Sequence, residues 1–248
     1  MKTLLLCFIM LSFSAVATEK SQPLNVKRIA DNVYQHVSYQ YISPWGLVAA
    51  SGLVVVENNQ AYVIDTPWTQ ADSKQLIAWI DAQGFEIKAV VATHFHEDAS
   101  GGLAVFNKLD IATYASVATN QLLSGKKQAT ASVVITQQAF ALTENSIEIF
   151  YPGAGHSNDN VVVWLAQQQL LFAGCFAKSL GSKSLGNLAD ASVADWPQSI
   201  DKVLTQYPTI QTVVPGHGKI GTVDILHHTK RLALQKLAID KADEKNSI

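Results

Sequence analysis

Four short apolar runs in this chain each lead to a side chain able to bind a metal, with small residues beside it. Ala89-Val90-Val91 runs into His94, and Ile149-Phe150 into Gly153-Ala154-Gly155-His156. Leu170-Leu171-Phe172-Ala173-Gly174 ends at Cys175, and Val213-Val214 at Pro215-Gly216-His217-Gly218. Runs this short, bounded by glycine and proline, read as buried strands. In an α/β sheet the strand ends are where ligand sites form, and small neighbours let the backbone bend sharply there. The pattern therefore asks for a fold that gathers several strand ends around one point.

The remaining periodicity agrees with an α/β chain. Val33 to Val37 alternates, Gly52 to Val56 is a β-branched run, and Tyr62-Val63-Ile64 is another. Thr69 with Asp72 marks a helix start, and Leu76, Ile77 and Ile80 give that helix an apolar face up to Gly84. Helical stretches are expected at about Leu103–Lys108 and Ala115–Ser124. A second half begins near Gln138, with strands at about Ile147–Phe150, Val161–Leu165 and Leu170–Ala173. A helix follows at Trp196–Gln206, then a strand at Thr212–Val214 and a charged C-terminal helix whose end, Lys241 to Lys245, is solvated. Strands alternating with helices indicate α/β layering.

With 248 residues, 48% of them hydrophobic, the chain can bury a substantial core. It shows no strong repeat and no long linker, so two halves sharing one core are expected. The net charge of -2, without a dense Lys/Arg patch interleaved with aromatics, argues against nucleic acid as a partner. Residues 1–17 read as an export signal: Lys2, the apolar run Leu4 to Phe13, then Ala15-Val16-Ala17 as a small-x-small cleavage site. That leaves residues 18–248 as one domain, with no membrane anchor, in the periplasm. A lipid anchor on Cys7 is disfavoured by Leu5-Leu6 just before it. Cys7 leaves with the signal, and Cys175 stays without an intramolecular partner. It is either a small buried hydrophobe or a thiolate held by a metal.

The densest group is His94-Phe95-His96-Glu97-Asp98, between the Val90-Val91 strand and Gly101-Gly102. In an extended chain residues 94 and 98 would lie about 13 Å apart. In a helix residue 96 would point away from both. A curled loop lets all three serve one small site, the imidazoles on one metal and the carboxylate reaching toward a neighbouring one. With His156, Cys175 and His217 the chain offers four histidines, a carboxylate and a thiolate, ligand types suited to zinc. Six ligands are too many for one tetrahedral ion and fit two open sites of three. Taken singly, each histidine reads as a core or surface residue; position and type together reverse that. His36, His227 and His228 keep the plain reading.

The order His94-x-His96-x-Asp98, His156, Cys175, His217 resembles the metallo-beta-lactamase superfamily. Cys175, where most members have a bridging aspartate, resembles the IMP-like beta-lactamase subclass. So do Cys175-x-x-Lys178, Gly186-Asn187-Leu188-Ala189-Asp190-Ala191, Ile64-Asp65-Thr66-Pro67-Trp68 and the Trp45-Gly46 loop. The resemblance runs from about Val26 to His228.

It implies a four-layer αβ/βα sandwich that opens the beta-lactam ring of penicillins, cephalosporins and carbapenems, and so confers resistance. The attack is by a zinc-bound hydroxide, without a covalent intermediate. It further implies two zinc ions per chain, one on His94, His96 and His156, the other on Asp98, Cys175 and His217. Lys178 would pair with the substrate carboxylate, Asn187 would polarise the attacked carbonyl, and Trp45 would lie on a flap over the substrate. Asp98 would help move the proton, and Asp65 would steady a ligand. A monomer is expected. Ala99 departs from the Ser, Lys or Arg of many relatives, and Gly216 and Gly218 flank His217 without side chains; these bear on substrate preference. Rival readings are a lactonase or thioesterase of the same fold, and a non-catalytic zinc-binding protein.

Overall fold

The computed structural model describes residues 22–144 and 146–246. The export-signal reading of Lys2, Leu4 to Phe13 and Ala15 to Ala17, the Cys7 reading and the start at Thr18 lie outside the described residues.

The first half is a seven-stranded sheet in sequential order: β1 (Asn25–Ala30), β2 (Val33–Ile42), β3 (Gly46–Glu57), β4 (Gln60–Ile64), β5 (Glu86–Val91), β6 (Ala112–Ser116) and β7 (Val133–Ile135). Strands β1 to β4 pair antiparallel and β4 to β7 parallel. The parallel part needs crossovers, supplied by α1 (Gln70–Ala82), by α2 (Glu97–Ser100) with α3 (Leu103–Asn107), and by α4 (Val117–Gly125). The second half is a five-stranded sheet in the order β12-β11-β10-β9-β8, formed by β8 (Ala139–Ala141), β9 (Ile147–Phe150), β10 (Val162–Leu165), β11 (Leu170–Gly174) and β12 (Thr212–Pro215). α5 (Trp196–Gln206) and α6 (Asp224–Asn246) belong to this half.

Side-chain alternation explains the stacking. Leu53, Val55, Ile64 and Val91 from the first sheet pack with Ile149, Val163, Leu170 and Phe172 from the second, which makes the central core. Their sequence neighbours Val54, Val56, Val63 and Val90 point the other way, against Leu76 and Ile80 of α1 and Phe106 of α3. On the outer face of the second sheet, Leu171 and Ala173 meet Trp196 and Ile200 of α5 and Ile225 of α6. Both faces of each sheet are covered, which is why the strands read as near-continuous apolar runs. The result is the expected four-layer αβ/βα sandwich.

Local signals hold at α1: Thr69 Oγ1 accepts from the Asp72 backbone N–H at 3.0 Å, and Gly84 beyond the helix end has φ +77°. The helix expected from Ala115 starts two residues later. Tyr114, Ala115 and Ser116 pair with β7, and Ser116 caps α4 by accepting from Thr119 N–H at 3.0 Å. The strands β7 and β8 lie at sheet edges and were not expected. Among the described residues no helix is long and apolar enough to cross a membrane.

Candidate metal centre

The chain between β5 and α2 curls as the motif requires, and buried hydrogen bonds hold the curl. Asp65, at the end of β4 with φ +57°, accepts from Thr93 N–H at 2.7 Å and Thr93 Oγ1 at 2.8 Å. Asp159 Oδ2 accepts from Phe95 N–H at 2.9 Å and Thr119 Oγ1 at 2.9 Å, and Ser100 Oγ donates to the carbonyls of Phe95 and His96. His94 and Asp98 thereby face each other, with Nε2 and Oδ1 3.5 Å apart.

β9, β11 and β12 bring their ends to the same place. His156 Nε2 lies 3.0 Å from His96 Nδ1, and the rings of His94, His96 and His156 stand 4.8 to 5.1 Å apart, steeply inclined to one another. Beside them Cys175 Sγ is 3.0 Å from Asp98 Oδ2 and 3.3 Å from His217 Nε2, and that nitrogen is 3.1 Å from Asp98 Oδ2. Potential ligand atoms lie within 4.8 Å of one another in three overlapping groups: His94/His96/Asp98, His94/His156/Cys175 and Asp98/Cys175/His217. The six side chains singled out in the sequence are thus one cluster.

The cluster has the chemistry of a metal site. Ligands at 2.0 to 2.3 Å on a tetrahedral ion stand about 3.3 to 3.8 Å apart, close to the 3.0 to 3.5 Å gaps between neighbouring ligand atoms here. His217 Nδ1 lies 2.7 Å from the Ala49 carbonyl and His96 Nε2 2.9 Å from Asp190 Oδ2. Each such bond uses the ring proton and leaves the other nitrogen as a lone pair for the cluster. Among the described residues, buried His94 Nε2 and His156 Nδ1 have no hydrogen-bond partner, a cost that an ion at the His94 nitrogen removes.

Charge follows the same logic. Burial brings His94 down to about 4 and holds His156 well below its usual range, so both are neutral donors. Burial raises Asp98, but the hydrogen bond from His217 and the neighbouring imidazoles of His217 and His94 outweigh it and leave the carboxyl well below its ordinary value. Burial and neighbouring Asp98 push the Cys175 thiol up to about 11, so a thiolate there needs a cation beside it. His36, read as an ordinary core histidine, is buried with Nε2 3.0 Å from the Asp65 carbonyl oxygen, and burial lowers it to about 4.

Above the cluster opens a cavity of about 440 Å³, lined by Trp45, Trp68, Phe95, His96, Asp98, His156, Lys178, Asn187 and His217 among others. Trp45, 58% exposed at the β2–β3 turn, overhangs it with Ile42 and Val48. Asn187 Oδ1 accepts from Ala189 N–H at 3.1 Å, which leaves its amide nitrogen as the donor for a ligand oxygen. Burial lowers the Lys178 ammonium, opposed by Cys175 and Asp98.

Similarity to known proteins agrees with this geometry. Residues 45–217 match the model of the metallo-beta-lactamase superfamily. The chain belongs to that superfamily. It is 39% identical over 242 residues to a metallo-beta-lactamase type 2 of Pseudomonas aeruginosa, covering 97% of this chain and 96% of that one. The crystal structure of VMB-1 at pH 5.5 is 49% identical, with a TM-score of 0.86, covering 88% of this chain and all of the other. The metallo-beta-lactamase FIM-1 of Pseudomonas aeruginosa, solved in a mono-zinc form, is 31% identical with a TM-score of 0.83 over 89% of this chain and 99% of that one.

Some neighbours of the site carried no role in the sequence reading. Asp190 was visible only as part of the loop motif, yet it holds His96; Asp159 supports the loop from below. A signal for Asp159 exists in the Asn158-Asp159-Asn160 run before an apolar strand. Nothing local marks Lys126 or Gln128, and Glu97 was visible only as a member of the His94–Asp98 motif; all three line the cavity. Ala99 is fully buried, and its carbonyl accepts from Thr66 N–H at 2.8 Å.

Proposed function

We propose that this protein hydrolyses the amide of the beta-lactam ring at two zinc ions, and so confers resistance to these antibiotics. His94, His96 and His156 hold one ion; Asp98, Cys175 and His217 hold the other. The observation that carries the reading is the set Asp98, Cys175 and His217, with ligand atoms 3.0 to 3.3 Å apart, of which Asp98 and His217 line a cavity that also presents Lys178 and Asn187. Zinc supplies Lewis acidity and lowers the pKa of water from 15.7 to about 7, giving a nucleophile at neutral pH.

The chain's own residues do the rest. Lys178 holds the carboxylate common to these antibiotics and so fixes the ring over the cluster. Asn187 donates to the carbonyl oxygen as negative charge builds on it. Asp98 orients the attacking water and carries a proton toward the ring nitrogen as the amide bond breaks. Trp45 closes over the bound ring. No side chain has to attack, so no covalent enzyme intermediate forms. The N-terminal pattern ending at Ala15-Val16-Ala17 supports export to the periplasm, where we infer that the mature chain acts as a monomer.

Lys178→Ala tests the substrate class. A charge-assisted contact is worth roughly 1.5 to 3 kcal/mol, so kcat/KM on carboxylate-bearing beta-lactams should fall about ten- to hundred-fold. Metal content should be unchanged, and Lys178→Arg should keep part of the rate. Full efficiency in the alanine variant would reopen the lactonase reading.

A further inference from the structure

Two lysines reach the cavity from different halves of the fold, each over an aromatic ring beside a histidine of the cluster. Lys178, just after β11, places Nζ 5.5 Å from the centre of the Trp196 ring, which lies 6.3 Å from the His156 ring. Lys126, at the end of α4, places Nζ 4.5 Å from the centre of Phe95, whose ring lies 4.3 Å from that of His96. Both lysines line the same cavity. Neither forms an ion pair among the described residues. Glu97 lines the Lys126 wall too, but its Oε1 accepts from Gln128 Nε2 at 3.2 Å and makes no ion pair with the lysine.

We propose that Lys126 is a specificity residue that gives the cavity a second cationic contact, favouring beta-lactams with a second anionic group remote from the ring carboxylate. The inference rests on the hydrolase reading and goes beyond it. With the ring carboxylate on Lys178, a substituent extending toward the α4 wall ends near Lys126. The Phe95 face holds that ammonium at the rim, and Phe95 itself is buried and fixed by the Asp159 hydrogen bond to its N–H. Lys126 is solvent-exposed, so its attraction is screened and its effect is selective rather than large.

The test uses the full zinc-loaded protein and three beta-lactams that share ring and ring carboxylate, with a remote substituent that is neutral, carboxylate-bearing or ammonium-bearing. Lys126→Gln should lower kcat/KM for the anionic compound about three- to ten-fold, leave the neutral one within about two-fold, and raise the cationic one. Lys126→Glu should widen the gap, and about 0.5 M salt should narrow it in the parent. Calorimetric Kd values of the three ring-opened products on the same zinc-loaded protein should shift in the same order. Equal losses on all three substrates would overturn the inference, by showing that Lys126 acts through Phe95 and His96. Unchanged ratios would overturn it by making Lys126 a bystander. No hydrolysis of any of the three by the parent would overturn the hydrolase reading, and the inference with it.

Discussion

Cys175→Ser is expected to cost the protein about a hundred- to thousand-fold in kcat/KM while the chain stays folded. Cys175 is 3% exposed, and among the described residues its hydrogen-bonding neighbours at Sγ are Asp98 and His217. Serine is close to cysteine in size, so the fold is expected to survive the exchange. A serine hydroxyl, however, is far harder to deprotonate than a thiol and is a poor zinc ligand at neutral pH. On the two-ion reading the variant loses the second ion and keeps the one on the three histidines. A single ion's Lewis acidity is worth several kcal/mol, and 1.4 kcal/mol is tenfold, which sets the scale. Metal analysis should fall from two equivalents toward one as the rate falls. A variant with parental rate and parental metal content would remove Cys175 from the site.

Gly216→Val should produce a similar loss of rate by a different route. A Cβ at Gly216 would sit 2.5 Å from Cys175 Sγ and 2.8 Å from the Cys175 backbone nitrogen, and the backbone cannot yield as a side chain can. Gly216 N–H donates to the Gly174 carbonyl at 2.7 Å, and the Gly216 carbonyl accepts from Ser51 N–H at 2.8 Å, which pins the residue on both sides. The added side chain must therefore displace Cys175, and with it the ligand set of His217 and Asp98. Beyond overpacking of about 1 to 3 kcal/mol, kcat/KM should drop at least about a hundred-fold, with zinc lost from the second site first. Thermal unfolding and zinc titration on the same sample separate the two effects. Retained zinc stoichiometry at a parental rate would show that the β12 end is looser than its contacts indicate.

The sequence carried the layers because both faces of each sheet are buried. Gly52 to Val56 and Leu170 to Ala173 are apolar throughout, and their alternation between two cores appears only in three dimensions. The edge strands Val133–Ile135 and Ala139–Ala141 are three residues long, too short for a period to be read. At Ala115 helix and strand compete locally, and pairing with β7 decides in favour of the strand.

The site was legible in its ligand types, since His, Cys and Asp at strand ends have few other uses in combination. Its supports were not. Asp190 reaches His96 across 94 positions and Asp159 reaches Phe95 across 64, contacts that no local pattern encodes. Lys126 looks like any helix-end lysine until α4 is laid beside the His94–Asp98 loop. The glycines around His217 stood out as departures, and the clash at Gly216 gives one of them a physical reason.

The most direct test of the account is the initial rate on a carbapenem or cephalosporin, measured with the metal content of the same sample before and after chelation. We expect ring opening by the parent, a fall of at least about a thousand-fold when metal is stripped, and recovery as two equivalents of zinc are restored. A rate indifferent to chelation, or zinc-loaded protein that opens no beta-lactam, would contradict it.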